Sequence, residues 1–141
     1  MHEIGRALVA SRDRLIDAVL RVEPRAQLTG DSQRRLPGHA SFVFPGLSGE
    51  ALLVDLDARG IACSSGSACA VGRHEAPGTL LAMGYDPAVA KSAIRMTFRE
   101  PLTLEQINQI ASVVEESCNS LHGASTVSDP SINVQAQQAL A

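Results

Sequence analysis

The chain has 141 residues with three Phe, one Tyr and no Trp, and a formal net charge of −3. That length suits one domain with a single core. So few rings exclude the stacking platforms of a single-strand nucleic-acid binder, the mild acidity argues against a phosphate-backbone footprint, and neither a bilayer-spanning apolar run nor a signal-peptide pattern is present.

Residues 2–22 read as an amphipathic helix, with Ile4, Leu8, Leu15, Val19 and Val22 on one face and Arg12, Asp13, Arg14 and Asp17 in water; Pro24 stops it. Residues 26–28 suit a short strand, and Thr29-Gly30-Asp31 a turn. A polar stretch, 32–35, leads into a second turn at Leu36-Pro37-Gly38-His39. Residues 40–44 alternate as a strand does, Phe42 and Phe44 to one side, Ser41 and Val43 to the other, until Pro45-Gly46. Ser48 is placed to cap a helix carrying Leu52, Leu53 and Leu56, with Glu50 in its first turn and its end near Gly60. A brief strand is expected at 61–63, followed by a loop through 75.

Pro77 opens a short helix over Leu80, Leu81 and Met83, closed by Gly84, and Asp86-Pro87 caps another. In 93–98, Ile94 and Met96 alternate with Ala93, Arg95 and Thr97, a strand pattern. Thr103-Leu104-Glu105-Gln106 is a capping box for a last helix with the stripe Ile107, Ile110, Ala111, Val114, Cys118 and Leu121. The Ser-, Gln- and Ala-rich residues 123–141 read as a disordered tail after a domain of residues 1–122. The order of elements predicts an α+β fold, a small and mainly antiparallel sheet covered by helices.

Three cysteines, an odd number at no zinc-ligand spacing, point to free thiols in a reducing compartment, hence the cytoplasm. A free cysteine most often ends in a core, and Cys118 on its apolar stripe fits that fate, as does Cys63 pointing into the sheet. Cys69 differs. It ends the string Ala62-Cys63-Ser64-Ser65-Gly66-Ser67-Ala68-Cys69, which has almost no apolar bulk to bury. Gly66 and the serines tolerate tight turns, and Arg73 and His74 follow closely enough to stabilise a thiolate. Such a thiol suits a nucleophile that travels to a substrate and carries the product away. Arg95 by itself reads as a strand-surface arginine in an ion pair. His2, His39, His74 and His122 have no metal-ligand spacing and read as solvated side chains, so no metal site is expected.

Ser64-Ser65-Gly66-Ser67-Ala68-Cys69 resembles the catalytic-cysteine loop of group I cysteine desulfurases, the NifS/IscS-like branch of the class V aminotransferase superfamily. Leu36-Pro37 before a strand, Gly49-Glu50 opening a helix, and Leu80-Leu81-Ala82-Met83-Gly84 after the loop occur in the family's order and approximate spacing. So do Ser92-Ala93-Ile94-Arg95 entering a strand and Thr103 with Glu105 and Gln106 opening the final helix. The resemblance covers roughly residues 5 to 122.

The resemblance implies the C-terminal small domain, with its entering helix, of a fold-type I pyridoxal 5'-phosphate (PLP) enzyme that takes sulfur from L-cysteine and releases L-alanine. Cys69 matches the thiolate that attacks the substrate sulfur and keeps it as a persulfide, for delivery to an iron–sulfur scaffold or another acceptor protein. Through a persulfide, Cys69 could be a transient ligand of an iron–sulfur centre. Arg95 falls where the family's arginine grips the substrate carboxylate. Full-length members are implied to be homodimers built through the large, PLP-binding domain.

The family's Schiff-base lysine, in a Ser-x-His-Lys setting, has no counterpart: the sole lysine is Lys91. No cofactor-binding residue is therefore expected here, and the chain alone is expected to be inactive toward L-cysteine. Ala70-Val71 replaces the Thr or Ser that often follows the cysteine, and Arg99 occupies a glycine slot after Arg95. A stand-alone sulfur carrier or regulatory binding module, and a purely structural remnant, are competing readings. Group II enzymes and selenocysteine lyases resemble it less, because an Arg- and His-bearing sequence tends to surround their cysteine.

Overall fold

The structure, a computed structural model, describes residues 2–65 and 76–127. Helix α1, His2–Val22, is followed by β1, Gln27–Leu28, and β2, His39–Val43. Next come α2, Gly49–Ala58, and β3, Ser64–Ser65. Short helices α3, Gly78–Ala82, and α4, Pro87–Ala90, lead to β4, Ile94–Thr97, and to α5, Leu104–Val127. The strands form one sheet in the order β1-β2-β4-β3, antiparallel at every joint. The fold is α+β, as expected.

Period-two alternation divides the sheet's faces. Ala40, Phe42, Ile94 and Met96 join Leu15 and Val19 of α1, Leu52 and Leu56 of α2, and Val114 and Cys118 of α5 in the main core. On the other face Val43 and Ala93 pack beneath Leu80 of α3 and Ala90 of α4. The two short helices cover only part of that face. Gly49 lets α2 approach the chain before β4: its N–H donates to the Lys91 carbonyl at 3.1 Å, and a methyl group there would overlap that oxygen. The caps are local and form as expected. Ser48 Oγ accepts from Ala51 N–H at 3.3 Å, Asp86 Oδ1 from Ala88 N–H at 2.9 Å, and Thr103 and Gln106 bond reciprocally.

Four expectations change. Arg12 is not in water but 2% exposed. Its guanidinium donates to the carbonyls of Arg35 at 3.2 Å and Leu36 at 3.5 Å and pairs with Asp13 at 2.9 Å, which makes burial of the charge tolerable. Ile4 is 59% exposed, and Ser11 and Ile16 take part in the buried face instead. The brief strand lies at Ser64–Ser65 rather than 61–63, because the chain there is still closing α2: Gly60 adopts φ of 90° and Ile61 N–H returns to the Leu56 carbonyl at 2.9 Å. Helix α5 runs past Gly123 to Val127, so the first residues assigned to the tail are helical. Residues 128–141 lie outside the described residues.

Candidate functional site

A cavity of about 380 Å³ opens on the uncovered part of the second sheet face, between the segment after β1 and helix α3. Its floor follows from the register. Thr29 N–H extends the β1–β2 ladder to the Ser41 carbonyl at 2.9 Å, Ser41 stands opposite Arg95, and Arg95 opposite Ser64. Thr29, Ser41, Arg95 and Ser64 thus form one polar row across the sheet. Thr29 Oγ1 and Ser41 Oγ are 2.7 Å apart, and Arg95 Nε donates to Ser64 Oγ at 3.1 Å. Among the described residues Arg95 has no carboxylate partner and its two terminal nitrogens have no acceptor. The surface ion pair that was its ordinary alternative is therefore not formed with them.

The rim is basic. Arg34, Arg35 and His39 line the cavity with Arg95. Asp31 also lies there, but its Oδ1 accepts from the N–H groups of Gln33 and Arg34, both at 2.8 Å, and these bonds hold its carboxyl below the usual range. Arg35 donates Nε to the Asp31 carbonyl at 2.8 Å and bonds the Thr29 carbonyl, which ties the segment down. Leu36, Pro77, Leu80 and Met83 supply apolar wall. A carboxylate attached to a small, partly apolar body matches this lining.

His39 is not a solvated turn residue. It begins β2, is half-buried and lines the cavity. Burial first, then the charges of Arg35 and Arg95, pull its pKa below the ordinary histidine value, so it is neutral at neutral pH. His122 also departs from a solvated role, its ring 3.2 Å from Arg25 and 3.9 Å from Glu23. Sequence reasoning passed over Ser41, Thr29, Arg34 and Arg35; the strand alternation that set Ser41 opposite Phe42's face was the one available sign.

Two cysteines are described. Burial pushes the Cys63 thiol up to about 11 and Cys118 up to about 12. Both stay protonated at neutral pH and are poor nucleophiles. Cys69, with Arg73 and His74, lies outside the described residues. Among the described residues no cluster of His, Cys, Asp or Glu could hold a metal ion, and no helix is long and apolar enough to cross a membrane. They also do not fit a lysine-bound PLP. The sole lysine, Lys91, caps the C-terminus of α4, is exposed and does not line the cavity.

No family model matches the sequence. An IscS-like cysteine desulfurase of Mycobacterium tuberculosis is 46% identical over 98 residues, 69% of this chain and 25% of the relative. The cysteine desulfurase NifS of Azotobacter vinelandii is 39% identical over 72% of this chain and 25% of its own length. The chain belongs to the NifS/IscS-like cysteine desulfurase family. A cysteine desulfurase IscS of Methanosarcina thermophila matches 89% of the chain at 32% identity and 31% of its own length. The chain thus spans about a quarter to a third of the curated desulfurases it matches. A solved NifS-like protein superposes on 85% of the chain with TM-score 0.69 and 26% identity, using 29% of that structure. A NifS-like protein from Rickettsia africae, at 24% identity and TM-score 0.68, shares the fold.

Proposed function

We propose that this chain carries the sulfur-accepting and carboxylate-binding parts of a cysteine desulfurase acting on free L-cysteine. The observation that supports it most is the basic cavity with Arg95 on its floor, set directly beside the root of the Cys69 segment. Arg95 binds the substrate carboxylate through its guanidinium fork. Cys69 attacks the substrate sulfur: an S–S bond forms on Cys69, the C–S bond of the substrate breaks, and the released carbon takes a proton to give L-alanine. The persulfide then passes to an iron–sulfur scaffold or another acceptor protein. Cys69 lies four residues beyond Ser65, which pairs with Ile94 next to Arg95, and covalent geometry limits that span to about 14 Å. The thiol is therefore tethered within reach of the cavity.

PLP and its lysine come from residues other than these, in the large domain that the family resemblance implies, and the complete enzyme is a homodimer in a reducing, cytoplasmic setting. By itself the chain does not release alanine from L-cysteine. The test mixes the chain with L-cysteine and PLP, with and without a desulfurase large domain, and follows alanine together with the mass of Cys69. The expected result is one added sulfur on Cys69 only when the large domain is present, and none in Cys69→Ser. Brisk alanine release by the chain alone overturns the division of labour. Alanine release without sulfur on Cys69 overturns its role as the sulfur acceptor.

A further inference from the structure

Ser64 opens the small-residue string, yet the proposed chemistry gives it no task. It is held opposite Arg95 by the β3–β4 ladder, and its Oγ accepts from Arg95 Nε at 3.1 Å. We propose that Ser64 is a positioning residue that presents the guanidinium of Arg95 end-on to the substrate carboxylate.

The geometry of the fork carries the argument. A guanidinium can meet a carboxylate side-on, through Nε and one terminal nitrogen, or end-on, through both terminal nitrogens. With Nε engaged by Ser64 the side-on approach is closed. The two terminal nitrogens, which have no acceptor among the described residues, form the remaining edge. Arginine is a long side chain that loses rotamer freedom when it grips a ligand, and a fork already fixed at Nε loses less. Arg95 is exposed and has no ion-pair partner among the described residues to steady it, so the Ser64 bond is its one described polar anchor. Ser64 is well placed for this, because its backbone is fixed by pairing with β4 before the chain leaves the sheet.

The inference rests on the carboxylate role of Arg95 proposed above, and the test separates the two. The full chain is titrated with acetate while the Arg95 Nε–H resonance, assigned through Arg95→Lys, is followed by NMR. Ser64→Ala is expected to weaken acetate binding about five-fold, the size of one ordinary hydrogen bond. Ser64→Thr, which keeps the hydroxyl, restores it, and its isostere Ser64→Val does not. This last pair keeps the β-branched shape constant, so the outcome does not depend on how well Ser64→Ala folds. Wild-type affinity in Ser64→Val, with acetate still moving the Arg95 resonance, overturns the positioning role and leaves Arg95 intact. Acetate that leaves the Arg95 resonance unmoved in the wild-type chain overturns the carboxylate role of Arg95, and the inference falls with it.

Discussion

Ser41 of β2 is the antiparallel partner of Arg95 of β4, on the sheet face turned away from the main core. The register sets where Arg95 stands: a one-residue slip would send its side chain into the layer now filled by Ile94 and Met96. It therefore lines the cavity floor because the alternation of β4 is pinned by its apolar neighbours.

Arg95→Lys should separate carboxylate recognition from chemistry. Lysine keeps the charge but loses the planar fork. With the PLP-bearing large domain supplied, the KM for L-cysteine is expected to rise about ten-fold or more, the scale of a charge-assisted bond, with a smaller change in kcat. Steady-state alanine release measures it. A kcat that collapses at unchanged KM would show that Arg95 acts in the chemical step rather than in binding.

The pH response of the cavity belongs to His39. Its pKa is lowered in the fold by burial, with Arg35 and Arg95 adding to the effect, and Asp31 and Arg34 share the same rim. A base with a lowered folded pKa contributes stability that is present above its unfolded value and lost as pH falls through the folded one. The ring resonances of His39 should titrate below about 6.5 and move upward when acetate occupies the cavity, since an anion offsets the two arginines. His39→Gln should flatten the loss of stability on the acid side. A midpoint at or above the ordinary histidine value would contradict this account.

Local chemistry was legible and distant chemistry was not. Ser48, Asp86 and the Thr103–Gln106 pair cap their helices with partners two or three residues away, and such spacings can be read directly. The alternation of Phe42, Ile94 and Met96 into the core is equally local, and it put Arg95 on the other face. Arg12 was misplaced because its partners are carbonyls 23 and 24 residues further on, which no helical periodicity reveals. His39 looked like a turn residue because Pro37 and Gly38 precede it, whereas pairing with Thr97 draws it into β2. The Ser64–Arg95 bond spans 31 residues and depends on where β3 begins, which was itself misread. Cys69 rests on composition and resemblance alone, and lies outside the described residues.

Ser92 ties the chain leaving β2 to the chain entering β4. Fully buried, it accepts the Phe44 N–H at 2.8 Å and donates to the Val89 carbonyl at 2.5 Å. Ser92→Ala removes both bonds and leaves a buried N–H without its partner, at a cost of about 1–3 kcal/mol. Chemical denaturation should show a lower midpoint with an unchanged slope, and the Phe44 amide should lose hydrogen-exchange protection. Equal protection in the variant would mean that another acceptor replaces Oγ.

Cys118 gives the last test, at alkaline pH. It is fully buried in the main core, and burial, with help from Glu23, pushes its thiol from 9.0 up to about 12. An unfolded chain can ionise this thiol near its ordinary pKa, whereas the folded one resists. Its contribution is therefore complete below the unfolded value and is lost as pH rises toward the folded value. One such group lowers stability by about 1.4 kcal/mol for each pH unit in that window. Cys118→Val keeps the apolar contacts and removes the titration. Its denaturation midpoint should fall less steeply than the wild type's from pH 9 upward and run parallel to it below pH 8 or so. Parallel curves throughout would show that the thiolate is tolerated in the core, and that burial does not set its pKa.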